Sequence, residues 1–252
     1  MFKNEVKIIK SLKHKKFRQR HDLFVAEGTK IIQTILKSST YKVRSIYFTK
    51  RSGFYPITGL ENKQILIDER TMKSISFLNT PSSALALVEI PKNSKKTIER
   101  AIYLDGVQDP GNVGTIIRIA DWFGLDAVIR SEDAADFYNP KVVQSTMGAF
   151  ANLQLLEMSQ SELIELKKIT LFAADMNGIS IENVGKQNKF ILIVGSEGSG
   201  LSENLKAVSI QKIAIKGSGS RVSESLNVSV AVGVICAGLV FPEAKRHQKP
   251  DC

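Results

Sequence analysis

The sequence predicts an α/β protein in two parts, a small N-terminal α/β unit and a larger unit built on a parallel sheet. Three observations carry this. From Ala101 onward, short apolar runs without polar alternation are separated by helical patterns, as strands buried on both faces of a parallel sheet require. The first ninety residues hold shorter apolar runs closed by turn residues, the signature of a smaller unit. Between them Pro91-Lys-Asn-Ser-Lys-Lys96 is polar, carries a proline and has no periodicity, which marks a linker.

In the first part, Val6 to Leu12 is amphipathic and basic, and Leu23-Phe-Val-Ala-Glu-Gly28 reads as an apolar strand closed by glycine. A helix follows with Ile31, Ile32, Ile35 and Leu36 on one face. Val43 to Phe48 and Gln64 to Ile67 read as buried strands, Thr71 to Leu78 as a short helix, and Ala84 to Ile90 as a closing strand. In the second part, the strand Ala101 to Leu104 leads through a glycine-rich turn to a helix from Thr115 to Phe123, ended by Gly124. Strands are expected at 127–129, 153–156, 171–174, 190–194 and 212–215. Helices are expected near 141–147, 161–168 and 203–208, with a last one starting near Ser225.

Composition narrows the function classes. The longest apolar stretch, Val228 to Phe241, is interrupted by Gly233 and Gly238 and is shorter than the roughly 20 residues a membrane span needs. The N-terminus alternates lysine with apolar residues and lacks the apolar core of a secretion signal, so a cytoplasmic location is expected. Cys236 within an apolar helix and Cys252 at the last position form neither a disulfide framework nor a metal-ligand spacing, so no metal is expected. The net charge of +10 is uneven: residues 1–51 hold 14 Lys/Arg against 3 Asp/Glu, or +11, and the remainder 21 against 22, or −1. Clustered cations bind phosphate backbones by releasing condensed counterions, so the first segment suits a nucleic acid, and equally a solvated helix face.

Three segments carry the chemistry. Asp105-Gly-Val-Gln-Asp-Pro-Gly-Asn-Val-Gly114 leaves a strand and enters a helix containing Arg118; Asn112 and Arg118 can project toward one anionic ligand. It contains neither a dinucleotide fingerprint nor a P-loop ending. Phe190-Ile-Leu-Ile-Val-Gly-Ser-Glu-Gly-Ser-Gly200 leaves a buried strand at its carboxyl end, where open α/β sheets bind ligands. Neither Ser196 nor Ser199 has the glycine spacing of a nucleophile elbow, and His14, His21 and His247 lie at the chain's ends, so Ser-His hydrolysis is not expected. The third segment, Glu224-Ser-Leu-Asn-Val-Ser-Val-Ala-Val-Gly233, reads both as a ligand edge and as an N-cap of the last helix.

In this order the segments resemble the three signature motifs of the SpoU family of RNA ribose 2′-O-methyltransferases, within the knotted SPOUT superfamily. The matching stretches are Asp105 to Gly124, Ile191 to Leu201 and Ile213 to Ala231, with Asn139 to Gly148 similar to the family's intermediate segment. Phe24-Val-Ala-Glu-Gly28 and its helix are similar to the RNA-binding domain preceding the catalytic domain in many members. The resemblance implies an L30e-like α/β domain over residues 1–92 and an α/β trefoil-knot methyltransferase domain over 98–246. It implies S-adenosyl-L-methionine as methyl donor, held by Gly195, Gly198, Ile215 and Leu226. Asn112, Arg118, Glu197, Ser225 and Asn227 form the implied catalytic set. Arg118 is implied in activating the hydroxyl; since a guanidinium stays protonated, its expected part is to grip the target phosphate and orient the ribose. Structured RNA is the implied substrate, 23S rRNA foremost and tRNA or non-catalytic rRNA binding as alternatives, and a homodimer is the implied assembly. Two positions depart from the pattern. Lys216 follows Ile215 where the family usually has proline, with a glycine loop about two residues longer, and Gln144 stands where an arginine is frequent.

Overall fold

The computed structural model describes residues 2–50, 59–92, 97–166, 168–208, 210–220 and 222–241. The expected linker at 91–96 falls largely outside them, as do Arg221, residues 242–246, His247 and Cys252. In chain order the elements are α1 (Phe2–Ser11), α2 (Lys15–His21), β1 (Leu23–Glu27), α3 (Thr29–Lys37), β2 (Val43–Phe48), β3 (Gln64–Leu66), α4 (Glu69–Ile75) and β4 (Ala84–Glu89). They continue with β5 (Arg100–Asp105), α5 (Pro110–Trp122), β6 (Ala127–Arg130), α6 (Pro140–Ser145), β7 (Gln154–Glu157), α7 (Gln160–Ile164), β8 (Thr170–Ser180), β9 (Phe190–Gly195), α8 (Glu203–Lys206), β10 (Gln211–Ala214) and α9 (Val228–Val240). Two compact units result. One comprises Met1–Lys95, Asp109–Arg118 and Ala135–Asn152; the other comprises Lys96–Gln108, Ile119–Ala134 and Leu153–Cys252.

The first unit has a four-stranded sheet in the order β1-β4-β2-β3, antiparallel except for the β2–β3 pair. Every residue of β1 is buried, so both of its faces must be covered. Leu23 and Val25 point into a core with Ile9, Leu12, Tyr47, Met72 and Leu85. On the opposite face Phe24 meets Tyr138 with ring centroids 4.8 Å apart and Phe150 at 5.9 Å, and Tyr41 meets Phe150 at 5.1 Å. Burying such a ring contributes ~1.5–3 kcal/mol, which binds residues 135–152 to the N-terminal sheet. β3, expected to be buried, is instead a three-residue edge strand with Leu66 half-exposed, because only β2 pairs with it. At the end of β1, buried Glu27 accepts hydrogen bonds from the Ser76 hydroxyl at 2.5 Å and the Phe77 N–H at 2.7 Å.

The second unit is a six-stranded sheet in the order β10-β8-β9-β5-β6-β7 with every pair parallel, as the unalternated apolar strands predict. The chain leaves β5 toward β6 and approaches β9 from β8. After β9 it goes on to β10 beyond β8, so the connections at the carboxyl ends of β5 and β9 diverge, the switch-point arrangement at which open α/β sheets bind ligands. Asp105 and Gly195, the last residues of these strands, are register partners.

Several elements differ from the sequence reading. α5 starts at Pro110 rather than Thr115, since proline is pre-organised for a first helical turn and Asp109 accepts the Asn112 N–H at 2.8 Å. Asn112 thus sits in a helical turn, not in a loop. α2 carries no apolar stripe and was not expected. α7 is shorter than expected, ending at Ile164. β8 is longer because its polar second half pairs with β10 after a register shift between Lys212 and Ile213. α9 begins at Val228, not near Ser225. Cys236 lies buried within it, and burial pushes its thiol up to about 12.

Candidate active site

Gly195 to Gly200 closes on itself. The Ser196 and Gly200 N–H groups donate to each other's carbonyl oxygens at 3.0 and 2.9 Å, and the Ser196 and Ser199 hydroxyls lie 2.7 Å apart. Gly195 has no room for a side chain, since a Cβ there would come within 2.2 Å of the Gly200 backbone and 2.5 Å of the Leu201 nitrogen. Gly198 is the opposite case: it is exposed, and a Cβ would meet nothing within 4 Å. The loop is a self-bonded rim with an open side. Its exit is pinned to β5, because the buried Asp105 carboxylate accepts from the Ser202 N–H at 2.7 Å and from the Gln160 amide at 2.9 Å. Beneath it Tyr103 donates to the Met158 carbonyl, and burial together with the Asp105 charge holds its phenol well above the usual range.

Glu197 on this rim accepts a 2.8 Å hydrogen bond from the Asn227 side-chain amide. That bond ties the β9 loop to the segment before α9. The Asn227 Oδ1 meanwhile caps α9, accepting from the Ser229 N–H at 3.0 Å, the Val230 N–H at 3.4 Å and the Ser229 hydroxyl at 2.6 Å. Asn227 thus caps α9 with its oxygen, as the cap reading expects, and uses its amide nitrogen to hold Glu197. Ser225 is exposed two residues ahead of the cap and does not cap the helix. Leu226 is half-exposed, and Ile215, just past β10, is half-buried. Asn112 and the exposed Arg118 lie on the part of α5 that belongs to the other compact unit.

A second tie supports Ile215 from behind. The Lys216 Nζ donates to the Gly178 carbonyl at 3.0 Å, and Lys212 pairs with Asp175 at 2.9 Å, so one lysine within β10 and one just past it hold the irregular part of β8. Gly178 packs on β10 so closely that a Cβ would lie 2.5 Å from the Ile213 nitrogen. The Asn177 N–H and Lys212 hold the Asp175 carboxyl below its ordinary range. Asp105 and the Lys216 tie were not among the sequence candidates. Lys216 stood out only as a departure, since a backbone carbonyl acceptor leaves no trace in sequence.

The rim fits a nucleoside-containing cofactor. It offers open space at Gly198, and the segment tied to it through Asn227 carries the half-exposed apolar side chain of Leu226, a combination suited to apolar contact with such a group. Among the described residues, no group of three His, Cys, Asp or Glu side chains is placed to hold a metal ion. No helix among them is long and apolar enough to cross a membrane.

A glycine loop at the carboxyl end of a parallel-sheet strand, tied to a helix N-terminus, is a ligand-binding arrangement, and comparison with known proteins says of which class. Residues 99–237 match the SpoU rRNA methylase family, and residues 3–86 match the MRM3-like substrate binding domain. The chain belongs to the SpoU rRNA methylase family. It is 29% identical over 235 residues to the 23S rRNA (guanosine(2553)-2′-O)-methyltransferase RlmP of Bacillus subtilis, covering 92% of this chain and 94% of that protein. Among solved structures it superposes on a TrmH-family RNA methyltransferase of Porphyromonas gingivalis with a TM-score of 0.81 at 34% identity, over 93% of this chain and 96% of that one. The same fold is seen in the SpoU methyltransferase AviRb of Streptomyces viridochromogenes, solved with AdoMet, at a TM-score of 0.81 and 22% identity over 94% and 96% of the two chains.

Proposed function

We propose that this protein transfers a methyl group from S-adenosyl-L-methionine to a ribose 2′-hydroxyl of ribosomal RNA, 23S rRNA foremost. The observation that carries the reading is the Glu197–Asn227 bond joining the β9 rim to the α9 cap, in a chain of the SpoU family. Gly195, Gly198, Ile215 and Leu226 would hold the cofactor. When bound, S-adenosyl-L-methionine supplies an electrophilic methyl with a good leaving group, so the protein's task is alignment and deprotonation of the hydroxyl. Arg118 grips the phosphate beside the target ribose bidentately through its planar guanidinium fork, and that phosphate helps accept the proton. Glu197, held by Asn227, together with Asn112 and Ser225, positions the ribose.

The RNA-binding domain in this reading spans residues 1–92 and the methyltransferase domain 98–246, threaded as the family's trefoil knot. The basic α1–α2 segment meets the RNA backbone. The working form is a homodimer in the cytoplasm, supported by exposed apolar side chains in the second unit: Trp122 is 83% exposed, Val230 and Val234 share an open face of α9, and the exposed Phe241 ring meets Phe123 in a tilted contact at 5.7 Å. Mapping 2′-O-methylation in total RNA from a deletion strain tests the function. Loss of one 23S rRNA methyl, restored by the wild-type gene and not by an Arg118 variant, is the expected result; an unchanged map refutes it.

A further inference from the structure

Arg18 is the one buried cation among the described residues of the first unit, 2% exposed, and the chemistry proposed above leaves it without a task. Its Nη1 donates to the Leu12 and Lys13 carbonyls at 2.7 and 2.9 Å, and its Nε and Nη2 both donate to one Asp136 oxygen at 2.9 and 2.5 Å. The other Asp136 oxygen accepts the Tyr138 N–H at 3.1 Å. A buried ion pair is a weak source of stability, because desolvation offsets most of the attraction and apolar residues of similar volume serve as well. Its best-attested use is registry.

What this pair registers is visible on both sides. Leu12 and Lys13 form the corner between α1 and α2, around which Lys10, Lys13, Lys15, Lys16 and Arg20 are exposed. Asp136 opens the segment that carries α6, and α6 lies so close to α5 that a Cβ on Gly114 would come 2.3 Å from the Ser145 Cβ and 3.0 Å from the Val142 oxygen. Gly114 sits between Asn112 and Arg118. Contacts therefore run from the basic corner, through the Arg18–Asp136 side-chain pair and α6, to the Arg118-bearing half of α5, inside one compact unit.

We infer that the Arg18–Asp136 pair is a positioning element for substrate selection. It fixes the distance between the phosphates bound at the α1–α2 corner and the ribose presented to Arg118, so that one nucleotide of a docked RNA is methylated and its neighbours are not. The inference rests on the proposed function. Asp136→Asn is the milder probe: its oxygen can keep the Tyr138 N–H while its amide faces Arg18. Arg18→Met removes the pair, and Arg18→Lys is the conservative control.

The test uses the full-length protein, S-adenosyl-L-methionine and deproteinised 23S rRNA. It measures cofactor Kd by calorimetry, RNA Kd by filter binding, single-turnover methylation rate, and modified positions by mass spectrometry. For Asp136→Asn both Kd values should stay within about twofold, since Arg18 keeps its bonds to the Leu12 and Lys13 carbonyls and the basic corner is left in place. The single-turnover rate should fall by ~10-fold or more, or methylation should spread to adjacent riboses, because misplacement by 1 Å can cost ~100-fold; Arg18→Lys should recover part of the loss. Folded variants that methylate one ribose at the wild-type rate overturn the inference, and so does a rate loss matched by an equal loss of RNA binding. If Arg18→Met does not fold, Asp136→Asn decides by the same criteria. Failure of the wild-type protein to methylate the RNA refutes the proposed function instead, and the inference with it.

Discussion

Replacing Asn227 separates two jobs that one side chain performs with two atoms. Its Oδ1 caps α9 and its Nδ2 donates to Glu197. Asn227→Ala loses both. The lost cap costs ~1 kcal/mol, and at a shift of about 2–4 °C per kcal/mol for a chain of this size the melting temperature should drop by a few degrees. Asn227→Asp keeps the cap, since aspartate caps as well as asparagine, and a negative charge at a helix N-terminus gains ~0.3–1 kcal/mol. Against that stands a second carboxylate facing Glu197, a repulsion of ~1 kcal/mol at 4 Å in water. The two nearly cancel, so Asn227→Asp should melt within about 2 °C of wild type by these magnitudes. The donor to Glu197 is nevertheless gone, and if Glu197 orients the ribose, kcat should fall by ~100-fold, as loss of orientation allows. Differential scanning fluorimetry and single-turnover methylation of 23S rRNA read the two effects separately. An Asn227→Asp enzyme with activity within threefold of wild type would refute the role of the Glu197–Asn227 bond, and an Asn227→Ala protein with unchanged melting temperature would refute the cap.

Arg118→Lys should lose ~100-fold or more in rate with cofactor affinity unchanged, because an ammonium cannot grip a phosphate through a planar fork; calorimetry and single-turnover kinetics check this, and an active lysine variant sinks the assigned role. Gly195→Ala should abolish cofactor binding in calorimetry, because its Cβ would lie 2.2 Å from the Gly200 backbone, whereas Gly198→Ala, with open space around it, should fold with wild-type stability. Burial, outweighing its two hydrogen bonds, raises the Glu27 pKa above its ordinary value, so the native state holds that proton more tightly than the unfolded chain. Its contribution to stability is therefore fully present below the unfolded pKa and falls as pH rises through the folded one. Glu27→Gln should gain stability relative to wild type as pH rises from 4 to 7 in urea titrations; a constant difference contradicts the assignment. Trp122→Lys should shift the protein toward monomer in analytical ultracentrifugation, while an unchanged sedimentation coefficient would place the subunit contact elsewhere.

The strands were the legible part of the fold, because β5, β6 and β9 are buried on both faces and so read as unbroken apolar runs. Elements whose limits depend on a distant partner were not. The second half of β8 is polar and partly exposed, and only its pairing with β10 makes it a strand. α2 buries little beyond Arg18, a residue that sequence periodicity counts as polar, and the reason for that burial lies 118 residues away at Asp136. In the candidate site, Glu197 and Asn227 were visible as parts of motifs and are bonded to each other. The supports behind them, from Lys216 to Gly178 and from Asp105 to Ser202, end on backbone atoms that every residue type possesses.

The glycines illustrate the same limit more sharply. Glycine-rich turns after strands suggested backbone approaching a ligand, yet Gly114, Gly195 and Gly198 answer to three different demands. Gly114 is small because α6 leaves no room for a Cβ within a helix where glycine costs ~1 kcal/mol relative to alanine. Gly195 is small because the rim folds back on it. Gly198 alone faces open space, and its surroundings impose no steric demand of their own. A bound ligand is the occupant that would make a side chain there unwelcome. If the cofactor lies where the proposed function puts it, substitutions of increasing size at Gly198 should weaken S-adenosyl-L-methionine binding stepwise while the melting temperature of the free protein stays constant. Equal affinity for Ala, Val and Leu variants at this position would remove Gly198 from the site and leave Leu226 and the Ile215 backbone to carry the cofactor assignment.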